Sequence, residues 1–545
     1  MSKEHFQIVV VGSGFAGSLM AMMAHRLGFS TALVERGQHP RFAIGESSTP
    51  LANLLLEEIA ADYDLPAVRP LCKWGTWQKS LPHLACGLKR GFTFYKHELG
   101  KPFGPDPKRQ KQLMVAASPN DEIADTHWYR QDFDHYLVQQ AQTLGVTYFD
   151  GVELTGANEE TSGMRLTGKH RGRPLNLTAE FVIDASGPRG FLHRALHLPE
   201  KAFATLPPTQ SLFSHFTGVG PLPDGFCPGD GILPPYEAEQ AAVHHIFPGG
   251  WIWVLKFNNG ITSAGVAATD SIANALDFQS GELAWRRLLK RLPSLDKIFR
   301  GARAVVPFIH QSRVAFQSEV ITGGRWALLP SAAGVVDPLL STGFPLTLLG
   351  VLRLARLLQS HWDLPALQPG LQEYAQLTRL ELEATAGLVG ALYATMDNFE
   401  LFQELSLLYF VCASFSETAR RLGKSHLADG FLLCRHPEFS AQFNRICSAA
   451  RKPLATGETR NLARCIREAI APFDVAGLTD RLRHPWYPAL SADLLRNASK
   501  LESNGIEISA MLQKCGFAVS HDKTDRGLDA ACGVRTRKPD AKHEL

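Results

Sequence analysis

Gln7-Ile-Val-Val-Val11-Gly12-Ser13-Gly14-Phe15-Ala16-Gly17 decides how the whole chain is read. Its first half is an apolar, β-branched run, the composition of a parallel strand buried on both faces. Its second half spaces three glycines as G-x-G-x-x-G. Ser18 to Gly28 follows with the Ala, Met and Leu of a good helix former and stops at a glycine, where helices end. Thr31-Ala-Leu-Val-Glu35 supplies a second strand and closes a βαβ unit. In such a unit Gly12 permits the tight turn, Gly14 lets the backbone approach a pyrophosphate, and Gly17 lets helix and strand pack closely. The helix N-terminus then faces the phosphate charge. Glu35, ending the second strand, stands where an acidic side chain holds a ribose hydroxyl pair. A glycine-rich turn alone is common; strand, helix, second strand and terminal Glu together imply a bound dinucleotide.

Beyond this unit, Arg41-Phe-Ala-Ile-Gly45-Glu46-Ser47-Ser48-Thr49-Pro50 makes a polar turn ahead of a predicted helix from Leu51 to Ala61. With this Gly-Glu-Ser segment the sequence resembles the flavin-dependent halogenases. Within that tryptophan halogenase-like family it resembles the branch that acts on other substrates, inside the wider superfamily of FAD-dependent monooxygenases and geranylgeranyl reductases. The resemblance makes the dinucleotide FAD and implies contacts from Gly12, Gly14, Phe15, Ala16, Gly17, Glu35, Arg36, Glu46 and Ser47.

Later segments carry the same resemblance in the family's order, over roughly residues 7 to 400. Arg130, ahead of a helix bearing Phe133 and Leu137, matches an arginine that packs near the flavin. Phe181-Val-Ile-Asp184-Ala-Ser-Gly187 is an apolar strand delivering Asp and Gly at its carboxyl end, where open α/β sheets meet ligands. Gly250-Trp251-Ile-Trp253-Val-Leu255 resembles the family's Trp-x-Trp-x-Ile-Pro motif, with Lys256 in place of proline. Those rings fill a tunnel beside the flavin, so that substrate is kept from the flavin and a diffusible oxidant is favoured. Pro330-Ser331-Ala-Ala-Gly334-Val-Val-Asp337-Pro338-Leu-Leu340-Ser341-Thr342-Gly343 resembles the third FAD segment. Here Pro330-Ser331 replaces the usual Gly-Asp, so Ser331 and Gly334 are the expected FAD contacts and a hydroxyl stands in for a carboxylate. Thr342 and Gly343 are the implied halide-binding pair, since backbone amides at a turn before a helix form an anion cradle. Leu340 occupies the position of a glutamate found in enzymes acting on free tryptophan, which points toward phenols and pyrroles.

The resemblance also calls for a lysine on a strand ahead of aromatic residues, to handle the oxidised halogen. Lys89, in Leu88-Lys89-Arg-Gly91-Phe-Thr-Phe-Tyr95, fits the local pattern; Lys73 fits the spacing from Gly45-Glu46 and remains a rival. An ammonium on a flexible stem suits this role, because its pKa falls readily on burial. It can donate a hydrogen bond to a hypohalous acid or, when neutral, react with it to give a haloamine. His215, His244 and His245 read as sheet or pocket residues rather than metal ligands, and no metal is expected. Gly100 to Asn120, rich in Lys, Pro, Gly and Gln, reads as a loop or lid. His484-Pro-Trp-Tyr487-Pro offers ring surface at a turn.

Composition bounds the remaining classes. With 545 residues, 45% apolar and 20% charged, the chain can bury a large core. A net charge of +3 without basic runs gives no reason to invoke nucleic acid or an anionic membrane. No charge-free apolar run reaches the length of a membrane span, and nine cysteines without paired metal-type spacing fit reduced thiols in the cytoplasm.

The expectation is an α/β flavoprotein whose FAD-binding Rossmann-like domain takes 1–200 and 301–362, with 62–125 partly in the substrate region. A substrate-facing β-sheet takes 201–300, a helical C-terminal domain 363–520, and a disordered tail His521 to Leu545. The resemblance implies a halogenase using FADH2, O2 and chloride or bromide, through a flavin hydroperoxide and hypohalous acid, on a small electron-rich aromatic that is free or carrier-protein-bound. No second nucleotide-binding βαβ is visible, so a separate NAD(P)H flavin reductase is the expected partner. Two other readings stand beside it: a hydroxylase or alkene reductase of the same superfamily, indifferent to halide, and a non-catalytic FAD-binding protein.

Overall fold

Glu4–Val11 runs through the middle of a seven-stranded sheet. It pairs in parallel with Thr31–Val34 on one side and Arg173–Asp184 on the other, and Trp326–Leu328 extends the parallel set beyond the latter. Ile8, Val9 and Val10 are wholly buried, as a strand covered on both faces requires. Helix Phe15–Arg26 leaves the first strand through the glycine turn and packs beside Arg130–Leu144 and Gly343–His361. Gly12 takes φ +98°, and a Cβ there would lie 2.7 Å from the Ala185 carbonyl oxygen, so this turn admits only glycine. The computed structural model describes residues 4–517 except 105, 162 and 227–230; the predicted tail from His521 lies outside them.

A nine-stranded sheet faces the first. Thr209–Thr217, Thr262–Thr269, Gly250–Lys256 and Ala242–Phe247 form its antiparallel middle, as the alternating Pro- and Gly-punctuated pattern predicts. Its boundaries differ from the expected 201–300. Gly91–Lys96 joins Ala242–Phe247 in parallel, Gln112–Ala116 pairs with Gly91–Lys96, and Trp486–Tyr487 adds an edge from the helical region. Arg303–Ala304 and Ile309–Gln311 still belong to this sheet, so the chain returns to the first sheet later than residue 301. The lid reading of 100–120 is corrected by the same facts: the run Gln112-Leu-Met-Val-Ala116 is an interior strand whose apolar side chains are buried, hidden in the sequence by its polar surroundings. The His484–Tyr487 turn likewise becomes a sheet edge.

The strand expected over 88–95 is two strands. Cys86–Lys89 pairs with Asp125–Trp128 in a small separate sheet, and after Arg90 the chain enters the nine-stranded sheet as Gly91–Lys96. Residues 125–128 form this partner strand, and the helix bearing Phe133 and Leu137 begins at Arg130 itself. Helices Leu367–Ala394 and Phe399–Arg421 then close over both sheets within one continuous apolar core. Leu339–His361 is long and apolar enough to cross a bilayer, yet 72% of its apolar window is buried inside the protein, which is the setting of a core helix.

Candidate active site

Between the two sheets lies a cavity of about 760 Å³. The glycine turn opens onto it through Gly12, Gly14, Phe15 and Ala16, and the end of the second strand through Glu35 and Arg36. Glu46, Ser47, Arg130, Trp251, Trp253, Ser331, Gly334, Thr342 and Gly343 complete the set of sequence-predicted residues that line this one cavity. Gly17 and Asp184 are not on it. A Cβ at Gly17 would fall on the Gly12 carbonyl oxygen, so this glycine allows the helix to seat against the turn. Asp184, fully buried, accepts from the Ser186 N–H at 2.8 Å and the Leu192 N–H at 2.6 Å, and so shapes the Ala185–Pro188 turn that does line the cavity.

The Glu35 carboxylate accepts from the Ser13 N–H at 3.0 Å, the Ser13 hydroxyl at 2.8 Å and the Gly37 N–H at 2.8 Å, with Arg41 at 3.3 Å. Burial raises its pKa, but Arg41 and these donors outweigh it and hold the group at about 2. Arg130 is clamped by Asp134, its Nε and Nη2 each donating at 2.8 Å, while Nη1 donates to the Gly45 carbonyl at 2.9 Å. The clamp fixes the turn carrying Glu46. One Glu46 oxygen lies 2.8 Å from His215 Nε2; the other is buried with no hydrogen-bond partner among the described residues.

At the far end, Leu340 and Ser341 both have positive φ, 65° and 56°, although neither is glycine. Such backbone is strained by roughly 1 kcal/mol or more per residue and gathers where a ligand is clamped. The turn hands Thr342 and Gly343 to the start of helix Gly343–His361. A Cβ at Gly343 would meet nothing within 4 Å, so its backbone borders open space. Asp337 accepts from the Tyr393 hydroxyl at 3.0 Å, and the Trp251 indole N–H donates to the same hydroxyl at 3.2 Å. Burial pushes Asp337 up to about 6. Tyr393 thus ties Trp251 to the turn that begins at Asp337.

Lys89 and Lys73 part company. Lys73 ends on Glu57 at 3.5 Å and the Cys515 carbonyl at 3.3 Å, away from the cavity. Lys89 is completely buried: its ammonium donates to Ser47 Oγ at 2.9 Å and to the Ser48 carbonyl, and lies 3.7 Å from the centre of the Phe92 ring. It does not itself line the cavity; the Ser47 hydroxyl stands between. Lys256, where proline was expected, pairs with Glu239 at 2.6 Å and leaves the motif's strand intact. His244, read from the sequence as a sheet or pocket residue, lies on the strand Ala242–Phe247 and lines the cavity stacked between Phe94 and Trp251. Sequence reasoning missed Asp134, whose i,i+4 spacing from Arg130 on a helix was a usable signal. Among the described residues no cluster of His, Cys, Asp or Glu is arranged to hold a metal ion.

A sequence model of the tryptophan halogenase family matches residues 109–402, more than half of the chain. The chain belongs to the tryptophan halogenase family. Relatives of this halogenase include monodechloroaminopyrrolnitrin halogenase PrnC of Pseudomonas fluorescens, 30% identical over 417 residues that span 75% of this chain and 71% of PrnC. A 1H-pyrrole-2-carbonyl peptidyl-carrier-protein chlorinase of the same species is 26% identical over 356 residues, 64% of this chain and 74% of that protein. The solved structure of halogenase PltM in complex with phloroglucinol and FAD superimposes with a TM-score of 0.77 over 89% of this chain and 99% of PltM, at 23% identity, which shows a shared fold.

The protein is therefore a flavin-dependent halogenase, an FAD-dependent oxidoreductase that uses reduced FAD, O2 and halide. Its residues fit that cofactor. The cavity has an ionised carboxylate at the end of the second strand, a helix N-terminus without an acidic residue in its first turn, and an unpartnered Glu46 oxygen deep in the wall.

Proposed function

We propose that this halogenase places chloride or bromide on an electron-rich aromatic of the phenol or pyrrole type, free or tethered to a carrier protein, with FADH2 supplied by a separate NAD(P)H flavin reductase. Bound and reduced, the flavin would supply two of the four electrons that dioxygen accepts, the halide giving up the other two as it becomes hypohalous acid. The chain's residues do the rest. The glycine turn and the N-terminus of helix Phe15–Arg26 receive the pyrophosphate, Glu35 the ribose, and Arg130 with Glu46 and Ser47 the flavin edge. Thr342 and Gly343 hold the halide through their backbone. The bulk of Trp251 and Trp253 keeps the aromatic substrate out of the flavin end, so the oxidised halogen has to travel.

One observation carries the reading: Ser47 is both a cavity wall residue and the hydrogen-bond partner of the enclosed Lys89 ammonium. That contact supports Lys89, rather than Lys73, as the lysine that receives an oxidised halogen arriving from the cavity and directs it to an aromatic carbon. Buried Leu340 leaves no carboxylate before Ser341-Thr342-Gly343, in keeping with a substrate other than free tryptophan. A cytoplasmic setting, with its NAD(P)H and reduced thiols, belongs to the same reading.

The test is turnover of the FAD-loaded protein with a flavin reductase, NADH, O2 and bromide or chloride on a panel of phenols, pyrroles and indoles, followed by mass spectrometry. Halide-dependent mass gain that disappears in Lys89→Ala, with FAD binding retained, is the expected result. Oxygen insertion or reduction without halide would overturn it.

A further inference from the structure

Lys89 and Asp125 are cross-strand partners in the two-stranded sheet Cys86–Lys89 and Asp125–Trp128, so their side chains leave the same face. The segment carrying Ser47 and Ser48 lies along the other side of Asp125–Trp128, through the Ser47–His127 bridge and the Ser48 N–H to the Thr126 carbonyl at 3.2 Å. Three extended segments side by side therefore surround one enclosed amine. Its hydrogen-bond partners, a serine hydroxyl and a backbone carbonyl, carry no charge. Asp125 gives one oxygen to the Asn53 amide at 2.7 Å, and its other oxygen is buried without a hydrogen-bond partner among the described residues.

We propose that Asp125 is a positioning residue for Lys89, setting whether that amine is charged when the halogenating oxidant reaches it. The proposal rests on Lys89 being the reactive lysine. Burial draws Lys89 down and Asp125 up, both toward neutrality, and the attraction between them opposes both shifts. The other titratable groups around them are fixed. His127, on the strand of Asp125, and His244, from Ala242–Phe247, are held down at about 3 by burial and then by Lys89 itself. Tyr409, from helix Phe399–Arg421, is pushed up by burial and by Asp125. Glu417 and Arg421 of that helix act on Asp125 in opposite senses and are bound to each other at 2.7 Å. Near neutral pH the pair Lys89–Asp125 is thus the titrating unit of the pocket.

The chemistry depends on which form is present. As an ammonium, Lys89 donates a hydrogen bond to hypohalous acid and leaves the oxygen–halogen bond intact. As an amine, its lone pair takes the halogen from hypohalous acid: the nitrogen–halogen bond forms, the oxygen–halogen bond breaks, and the departing hydroxide leaves as water with the amine's proton.

Asp125→Asn keeps the shape and removes the charge. Two quantities are followed across the neutral range in the FAD-loaded protein: the halogenation rate, and the 15N resonance of the Lys89 side chain in lysine-labelled protein. The lysine titration and the matching limb of the rate profile should both move to lower pH by about one unit or more. A limb that falls with pH identifies the ammonium as the active form, and one that rises identifies the amine. Asn53→Ala, which weakens the carboxylate's support, should shift both in the same direction by less. A folded, FAD-binding Asp125→Asn whose lysine titration stays in place overturns the assignment; should that variant not fold, an unmoved titration in Asn53→Ala overturns it. Failure of the underlying reading looks different: Lys89→Ala itself would go on halogenating.

Discussion

Two buried carboxylates of the cavity, Glu35 and Asp337, respond to pH in opposite senses. Glu35 is held at about 2, below its ordinary 4.5, by Arg41 and its backbone donors against the pull of burial. The folded state therefore gives up this proton more readily than the unfolded chain, and the stabilisation, on the order of 3 kcal/mol, is present above pH 4.5 and lost as pH falls toward 2. Glu35→Gln should melt below the parent at pH 7 and approach it in acid. Fluorescence titration should show FAD affinity reduced about tenfold, the cost of a charge-assisted hydrogen bond to the ribose. Asp337 is raised by burial from 3.8 to about 6, so the folded state keeps its proton longer and stability is lost as pH rises between those values. Asp337→Asn removes that loss, and thermal melts at pH 8 should show the variant more stable than the parent, by on the order of 2 kcal/mol.

At the scale of elements, the cavity is made where chain segments turn: after the first strand, after Arg173–Asp184, and at residues 337–343. Tyr393→Phe cuts the link between the last turn and Trp251 while leaving the helix packed. Halogenated product per NADH consumed should fall about fivefold, the equivalent of about 1 kcal/mol for a lost buried hydrogen bond, with peroxide rising and FAD affinity unchanged. The first βαβ unit was legible because each of its parts is local: Ile8 to Val11, the glycine spacing and Glu35 lie within one stretch and mean the same thing at every level. Even so, the helix begins at Phe15, three residues ahead of the reading, because the turn itself is the first helical turn. Lys89 was legible as a pattern, but its rivalry with Lys73 was not resolvable from spacing. What separates them is the change of sheet at Arg90 and the pairing with 125–128, both long-range events. Asp125 and Tyr393 had no local signature at all, since cross-strand register and a helix from the C-terminal region bring them in. Gln112–Ala116 was misread because five residues between polar flanks give too short a run to outweigh composition.

On the scale of the whole molecule, the C-terminal helices are not an appendage. Phe402 and Phe410 pack on Phe94 and Phe92 of the nine-stranded sheet, and one apolar core runs from Ile8 to Cys515. Unfolding should accordingly be one event: far-UV dichroism and flavin fluorescence should report the same midpoint, and two separated transitions would contradict the shared core. Phe410→Ala should lower stability by about 3–5 kcal/mol, measured by denaturant titration, because it empties a site enclosed from both sides. The enclosure of Lys89 has a further consequence. Its amine is covered by Ser47 and Ser48 from the N-terminal region, by its strand partner, and by Phe92, which Phe410 backs. An acylating reagent that modifies surface lysines at once can reach this one only when those parts separate. Labelling of Lys89 therefore times the opening of the molecule, and saturating FAD should slow it by the factor by which the cofactor stabilises the closed state.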